Sequence, residues 1–178
     1  MTNDITFRPL TVDDIPLLHR WLNNPLVAKW YGLDVANIPY PTLEQVETNY
    51  FPRVRGETPT YCYIMCLGER EFGYVQTYQI GSYPEYADAI DVDRDGWGID
   101  IFIGEDDSRD RGLGTAALRL FVERVVFNRR GAETAVIAPN PANHRAIRSY
   151  EKAGFEHLKT VYVEMENDYE YVMVRRET

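Results

Sequence analysis

The hydrophobic positions of the chain fall into short runs rich in β-branched and aromatic residues, separated by polar turn residues. Strands of this kind are predicted at ITFRPL near the start, at TYCYIMCL and FGYVQTYQI in the middle, and at FEHLKTVYVEM and YEYVMVRRE at the end. A short turn at residues 68–70 separates the middle pair, which predicts a hairpin. GWGIDIFIG and TAVIAP add two further predicted strands.

Four other segments have helical signatures. Thr11-Val-Asp-Asp14 and Thr42-Leu-Glu-Gln45 are capping-box-like starts, the first for a helix over IPLLHRWL. Apolar residues recur at helical spacing over residues 113–125, and NHRAIRSYEKAG predicts a helix that Gly154 ends. Residues 32–41 predict a proline-broken connector, and the polar, acidic residues 81–95 a long loop. The order predicts a mixed α/β (α+β) fold with antiparallel hairpins at both ends, in one domain spanning residues 1–178.

Charge narrows the classes of partner. The chain has 28 acidic and 19 basic residues, a net charge of -9, which argues against nucleic acid or an anionic membrane and favours a cationic ligand. No apolar run approaches the roughly 20 residues that span a bilayer, and MTNDITFRPL lacks signal-peptide features, so we expect a cytoplasmic protein. Cys62 and Cys66 fall on one strand face and are expected to be buried thiols; no metal is expected, because the three histidines are scattered.

Two linked motifs carry the chemistry. Arg109-Asp-Arg-Gly-Leu-Gly114 lies between a strand and a helix, where glycine backbone and free N–H groups form an anion site. It matches neither a Walker loop nor the G-x-G-x-x-G fingerprint. After one more strand, the pattern N-x-x-A-x-x-x-Y-x-x-x-G-F follows, from Asn143 to Phe155.

In this order and spacing the two motifs resemble the acetyl-CoA-binding motifs of the GCN5-related N-acetyltransferase (GNAT) superfamily. The resemblance implies a splayed, mostly antiparallel mixed sheet flanked by helices, with acetyl-CoA as cofactor and CoA as product. It also implies that the backbone of residues 109–114 holds the pyrophosphate and that Asn143 contacts the pantetheine arm. The full set of expected cofactor contacts is Ile101, Phe102, Ile103, Arg109, Asp110, Arg111, Gly112, Leu113, Gly114, Thr115, Asn143 and Ala146.

Two further residues are expected to be catalytic. The resemblance places Tyr150 near the thioester sulfur, where a phenol of pKa about 10 can hydrogen-bond to the leaving thiolate or protonate it. WGIDIFIGE resembles the strand of aminoglycoside 6'-N-acetyltransferases in which an Asp lies at the acceptor amine, and this aligns Asp100 with that residue. Asp100 would accept the ammonium proton or hold the amine while bulk base removes it.

The expected acceptor is therefore a polycationic aminoglycoside, with antibiotic resistance as the role. Residues 85–107 contain nine carboxylates and one basic residue, Arg94, and the acidic run at 164–170 is a second possible wall. The predicted acceptor contacts are Trp30, Tyr31, Asp91, Asp93, Asp95, Trp97 and Asp100. One departure is Ala138, because some members of this family have an Asp in that strand.

Three alternatives remain open at this level. Siderophore acyltransferases that modify hydroxylysine share the WLNNP…VAKW pattern, but in our interpretation they favour a His beside the reacting Asp, which GWGID lacks. Polyamine or protein N-acetyltransferases would also suit an acidic rim. A non-catalytic acetyl-CoA-binding module would need neither Asp100 nor Tyr150. We expect a monomer or a homodimer paired through the C-terminal strands.

Overall fold

The computed structural model describes residues 4–31 and 40–177, and most of the predicted connector at 32–41 lies outside them. The strands are β1 (Ile5–Pro9), β2 (Thr60–Leu67), β3 (Arg70–Gln79), β4 (Trp97–Ile103), β5 (Thr134–Ile137), β6 (Glu156–Val163) and β7 (Asp168–Arg176). The α-helices are α1 (Ile15–Leu22), α2 (Pro25–Ala28), α3 (Leu43–Val54), α4 (Pro84–Ile90), α5 (Leu113–Phe121) and α6 (His144–Lys152). A π-helical segment, Val122–Phe127, continues α5.

The strands form one seven-stranded sheet in the order β1-β2-β3-β4-β5-β7-β6. β1 pairs antiparallel with β2, and β7 pairs antiparallel with both β5 and β6, whereas β4 and β5 run parallel. Each predicted strand is present, and so are the helices predicted from capping and periodicity. The predicted mixed, mostly antiparallel sheet flanked by helices is confirmed.

Two compact units make up the chain. The first unit consists of Met1–Gln76 and Ile101–Arg111, and the second of Thr77–Asp100 and Gly112–Thr178. β3 and β4 therefore contribute residues to both. The assignment of residues 1–178 to a single domain stays a prediction.

The core of the first unit forms around α1 and the β2–β3 hairpin. Trp21 of α1 and Tyr74 of β3 are fully buried, and the Phe102 ring stacks 5.4 Å from the Tyr74 ring. Cys62 and Cys66 lie on the same face of β2 in this core, as buried thiols that are not joined by a disulfide, which confirms the expectation for them.

The entry to α1 is fixed by hydrogen bonds of the predicted capping box. The Thr11 backbone N–H donates to Asp14 Oδ2 at 2.8 Å, and the Arg8 guanidinium donates to both Asp14 oxygens at 2.7 Å. The second capping box, between Thr42 and Gln45, is present at the start of α3. Both helices therefore begin where the sequence predicts.

The core of the second unit includes one face of β5, β6 and β7, together with α4. Val136, Val172 and Val174 pack in it with Ala87 and Ile90 of α4. The prediction of a continuous loop at residues 81–95 is therefore wrong at Pro84–Ile90. Pro84 occupies the first turn of α4, where it is tolerated, and the three-residue spacing of Ala87 and Ile90 gives this short segment a buried face.

Within the described residues, no helix has both the length and the hydropathy to cross a bilayer. The same part of the chain contains no cluster of three or more His, Cys, Asp or Glu side chains placed to hold a metal ion.

Candidate active site

Asp100 lies in β4, just past the point where β4 pairs with β5. The parallel ladder joins Trp97 to Ala135 and Gly98 to Val136, and among the described residues it goes no further. Because side chains alternate along a strand, Asp100 is on the same face as Gly98. The Asp100 side chain is half-buried. Asp100 thus lies two residues beyond the last pair of the β4–β5 ladder.

Tyrosine side chains crowd this face of β4. A Cβ atom on Gly98 would lie 2.6 Å from the Tyr78 ring, so only glycine allows the ring this close to the strand. The Thr77 hydroxyl donates to the Gly98 carbonyl at 2.8 Å and fixes the adjoining segment of β3. The Tyr78 ring contacts Tyr83 at 5.2 Å and Tyr86 at 6.4 Å, both with edge-to-face geometry. A layer of phenol rings therefore lies beside the Asp100 strand.

A second carboxylate, Glu170 of β7, joins this layer. The Tyr86 hydroxyl donates to Glu170 Oε2 at 2.9 Å. Side chains alternate along β7, so Glu170 lies on the same face as Val172 and Val174. Both valines pack in the core that includes Tyr78 and Tyr86. Glu170 is therefore an acidic residue on the apolar face of its strand.

The surroundings of Glu170 favour its protonated form. Burial raises the pKa of this carboxyl to about 7, and the negative charges of Asp100, Glu166 and Asp168 act in the same direction. The hydrogen bond from Tyr86 opposes them only in part. A carboxyl group with such a pKa exchanges protons near neutral pH, as an acid–base group must.

The tyrosines of this layer remain neutral phenols. Burial raises the pKa of Tyr78, and the charge of Asp100 adds to the effect. Burial also raises the pKa of Tyr86, followed by the charges of Glu170 and Asp100. Both hydroxyl groups therefore keep their protons and act as hydrogen-bond donors.

Tyr150 lies on α6, the helix of the second motif, and its side chain is half-buried. Burial raises the pKa of its phenol, and the negative charge of Asp100 raises it further. The Asp100 charge thus acts on Tyr150, Tyr78, Tyr86 and Glu170 alike. The second unit brings the two predicted catalytic residues within electrostatic reach of each other.

The start of α5 suits an anion. Gly112, the residue that precedes the helix, has a left-handed φ of 74°, and among the described residues, its chain neighbours apart, no heavy atom lies within 4 Å of where its Cβ would be. Gly112 has no side chain to cap the N–H groups of the first turn. These groups and the helix dipole together favour a phosphate. The Thr115 and Ser149 hydroxyls are 2.7 Å apart and tie α5 to α6.

Asn143 and Ala146, the remaining expected contacts in the second unit, belong to the start of α6. The Asn143 side chain accepts a hydrogen bond from the Ala146 backbone N–H at 3.1 Å and so caps the helix. Asn143 therefore has a structural task besides the predicted contact with the pantetheine arm.

In the first unit, two of the expected cofactor contacts have side chains engaged within the protein. Arg109 donates to the Ile103 carbonyl at 3.0 Å and forms an ion pair with Asp106, and its side chain is 9% exposed. Phe102 packs against the aromatic core. Arg109 and Phe102 would therefore contact a cofactor through their backbone atoms. Asp110 has a left-handed φ of 60°, and Arg111 is exposed.

The predicted acceptor contacts of the second unit also have partners. Asp91 ends α4 with a φ of 45° and forms an ion pair with Lys159 at 2.9 Å. The Asp93 carboxylate accepts from the Asp95 backbone N–H at 3.0 Å. The Arg130 guanidinium lies 5.5 Å from the centre of the Trp97 ring.

The acidic count of residues 85–107 therefore overstates the negative field. Arg94 pairs with Asp88 at 2.6 Å, and in the first unit Arg20 pairs with Glu105 and Arg70 with Asp107. Arg94 within this segment, and Arg20 and Arg70 outside it, neutralise part of the charge that the sequence places there.

Trp30 and Tyr31 belong to the first unit. Trp30 is 40% exposed, and the Lys29 ammonium lies 4.8 Å from the centre of its ring. Tyr31 packs edge-on against Phe102 at 5.0 Å. Part of the Trp30 ring is therefore exposed to solvent, whereas the Tyr31 ring packs against the core.

Sequence reasoning named Glu170 only as part of an acidic run and gave no role to Tyr78 or Tyr86. A signal for Glu170 was present in DYEYVMVRR, where a glutamate continues the alternate positions of Val172 and Val174. The two tyrosines had no comparable signal, because a buried ring in a core strand and one in a functional layer give the same pattern.

Comparisons with known proteins show the family of the chain. A family model described as an acetyltransferase (GNAT) domain matches residues 11–163. The aminoglycoside N(6')-acetyltransferase type 1 of Klebsiella pneumoniae is 36% identical over 162 residues, which are 90% of this chain and 78% of that protein.

A crystal structure of aminoglycoside acetyltransferase AAC(6')-Ib with coenzyme A and kanamycin superposes with a TM-score of 0.83. It is 31% identical, and the match covers 97% of this chain and 95% of that one. A kanamycin resistance protein of Rhizobium radiobacter is 44% identical over 64 residues, 36% of this chain and 58% of that protein. The chain belongs to the GNAT acetyltransferase family: it is an N-acetyltransferase that uses acetyl-CoA and is similar to aminoglycoside 6'-N-acetyltransferases.

Proposed function

We propose that the protein transfers the acetyl group of acetyl-CoA to the 6'-amine of aminoglycoside antibiotics and so inactivates them. The observation that carries this proposal is the pair of half-buried carboxylates, Asp100 and Glu170, on one face of the second unit beside neutral phenols. Such a pair suits a polycationic amine, because carboxylates attract ammonium groups and favour their charged form. The relatives named for aminoglycoside acetylation support the same substrate class.

The residues at the start of α5 fit the pyrophosphate of acetyl-CoA. The open space at Gly112 and the backbone N–H groups of Leu113 and Gly114 would hold it. When bound, acetyl-CoA supplies the activated acetyl group and a thiolate leaving group. All other steps depend on side chains of this chain.

Asp100 holds the acceptor amine in this proposal. Its charge pairs with the ammonium group and brings the nitrogen to a fixed place on β4, which is the positioning part of catalysis. Tyr150 acts on the sulfur side. Because burial and Asp100 raise the pKa of its phenol, Tyr150 donates a hydrogen bond to the departing sulfur rather than losing its proton to it.

The test is CoA release, followed with a thiol reporter, from purified protein with acetyl-CoA and a matched pair of acceptors. Neomycin and paromomycin differ at the 6' position, which bears an amine in the first and a hydroxyl in the second. We expect CoA release with neomycin and kanamycin and none with paromomycin. Equal release with both members of the pair would place the reaction at another amine.

The same assay separates the other acceptors. Turnover with spermidine, hydroxylysine or a basic peptide but with no aminoglycoside would overturn the proposed substrate and keep the acetyltransferase. The carboxylates Asp91, Asp93 and Asp95 are proposed to contact the outer sugars. Their alanine variants should raise KM for kanamycin while leaving KM for acetyl-CoA unchanged.

A further inference from the structure

We propose that Glu170 is the proton acceptor of the reaction: its carboxylate receives the proton that the acceptor ammonium must lose, while Asp100 holds the nitrogen. This inference rests on the proposed function, since it names a residue for that same site. Neither motif contains Glu170, which lies on β7, well after the second motif in the chain.

The strand register places Glu170 on the correct face. β5 and β7 pair Val136 with Val174, and the Tyr171 backbone N–H donates to the Pro139 carbonyl at 2.8 Å, so the pairing continues past Ala138. Side chains alternate, and Glu170 therefore shares a face with Val174, Val136 and the small Ala138. Gly98 of β4 pairs with Val136, and Asp100 lies on the same face of β4 as Gly98. Glu170 and Asp100 are therefore on the same face of the sheet.

A hydrogen-bonded row of phenols holds the Glu170 carboxylate. A hydrogen bond links Tyr78 to Tyr86, and Tyr86 donates to Glu170 Oε2 at 2.9 Å. Among the described residues, the other oxygen, Oε1, has no hydrogen bond within the protein. One oxygen is thus fixed and the other is available to a substrate N–H.

The proton transfer is balanced within the site. One N–H bond of the ammonium breaks, its electron pair stays on nitrogen, and an O–H bond forms at Glu170. The amine becomes a neutral nucleophile, and the carboxylate becomes a carboxylic acid that later returns the proton to solvent.

Glu170 suits this step better than a solvated carboxylate would. Its environment holds its pKa near neutrality, closer to that of an amine than an ordinary glutamate is, so the transfer is less unfavourable. The charged and titratable groups that face Glu170 come from several elements. Two are phenols, Tyr78 on β3 and Tyr86 on α4. The others are the carboxylates of Asp100 on β4, Glu166 in the β6–β7 turn and Asp168 at the start of β7. Each acidic neighbour favours the proton on Glu170, and Tyr86 favours the charged form.

The decisive variant is Glu170→Gln, measured as kcat and kcat/KM for kanamycin over a range of pH. Glutamine keeps the shape of the side chain and an oxygen that accepts from Tyr86. We expect kcat at neutral pH to fall about 10²-fold, because a positioned base contributes at least that much. In the wild type, the plot of kcat against pH should rise through pH 7 as Glu170 loses its proton. In the variant this rise should vanish, and activity should increase only at higher pH, where the free amine forms.

Three further variants control this result. Glu156→Gln removes one exposed carboxylate from the same unit and should leave the profile unchanged. Glu170→Asp keeps the base and should restore part of the lost kcat. Tyr86→Phe removes the hydrogen bond that lowers the pKa of Glu170, so the rising limb should move to higher pH.

A direct titration makes failure of this inference distinct from failure of the proposed function. In protein labelled with ¹³C-carboxyl glutamate, the signal absent from the Glu170→Gln variant should titrate near pH 7 without any acceptor. A titration at the ordinary glutamate value, or a Glu170→Gln variant with raised KM and an unchanged kcat profile, would overturn the inference alone. No turnover of any aminoglycoside by the wild type would overturn the proposed function and this inference with it, whatever the titration shows.

Discussion

At the scale of single residues, the proposed roles of Asp100 and Glu170 divide two tasks that one carboxylate often performs. Asp100→Asn removes the charge and keeps the shape. We expect KM for kanamycin to rise at least tenfold, because a hydrogen bond to a charged group contributes about 1.5–3 kcal/mol and about 1.4 kcal/mol corresponds to a factor of ten. Steady-state kinetics with kanamycin and with acetyl-CoA as varied substrates measure this, and KM for acetyl-CoA should not change.

The same substitution has a second consequence, at Glu170. The Asp100 charge helps to raise the pKa of Glu170, so its removal should move the rising limb of the pH profile to lower pH. Glu156→Gln serves as the control for loss of one charge in the unit. If KM instead stays constant while kcat drops about 10²–10⁴-fold, Asp100 is itself the general base.

The proposed role of Tyr150 is on the leaving-group side of the reaction, so removal of its hydroxyl should change kcat rather than KM for kanamycin. In Tyr150→Phe we expect kcat to fall about 10- to 100-fold with KM for kanamycin unchanged, since one donor to a developing negative charge is lost. The raised pKa means that Tyr150 contributes no step to the pH profile below pH 10. Tyr162→Phe, an exposed tyrosine that donates to Asn167, is the matched control, and a variant as active as wild type would remove Tyr150 from the mechanism.

At the scale of elements, the face of β4 depends on close packing between Gly98 and the Tyr78 ring. In Gly98→Ala, the new Cβ would lie 2.6 Å from that ring and 3.0 Å from its hydroxyl. The Tyr78 ring must move, and Tyr86, which contacts it and holds Glu170, must adjust with it. We expect a loss of about 1–3 kcal/mol in the free energy of unfolding, as in other overpacked cores. A fall in kcat/KM for kanamycin should accompany it.

Urea unfolding measures the stability part, and Gly68→Ala supplies the comparison. Gly68 lies in the β2–β3 turn with a φ of 61° and open space around it, so alanine there costs about 1–2 kcal/mol through backbone strain alone. The two variants should be similar in stability but differ in activity. Equal kcat/KM in both would mean that the Tyr78–Tyr86 contact does not position Glu170.

The elements also show where sequence patterns suffice. Capping boxes at Thr11 and Thr42 and the glycine-turn hairpin are local signals, and the structure has each of them in place. α4 was missed because its seven residues span too few turns for a periodicity, and its helix is stabilised by packing of Ala87 and Ile90 against distant strands. Tertiary contacts of that kind leave no local trace in the sequence.

At the scale of the whole molecule, the family and fold followed from two motifs in the right order, and Asp100 was singled out by the resemblance of WGIDIFIGE to a strand of aminoglycoside 6'-N-acetyltransferases. The partner of that carboxylate did not follow, since Glu170 lies seventy residues later and only the β4-β5-β7 order relates them. The charge of the acidic segment was overstated for the same reason, because Lys159 and Arg70 are remote in sequence from the carboxylates they neutralise. Long-range pairing decides which charges remain available to a ligand.

Ion pairs within the protein do not change its net charge of -9, which acts on a polycation as it approaches. Attraction between exposed charges weakens as salt shortens the screening length from about 10 Å at 0.1 M to about 3 Å at 1 M. We therefore expect kcat/KM for kanamycin to fall several-fold between these salt concentrations, since electrostatic steering changes association rates by about tenfold or more. Acetyl-CoA is an anion, so its kcat/KM should stay constant or rise over the same range. A parallel fall for both substrates would indicate a general effect of salt on the protein and would remove electrostatic attraction as the source of aminoglycoside preference.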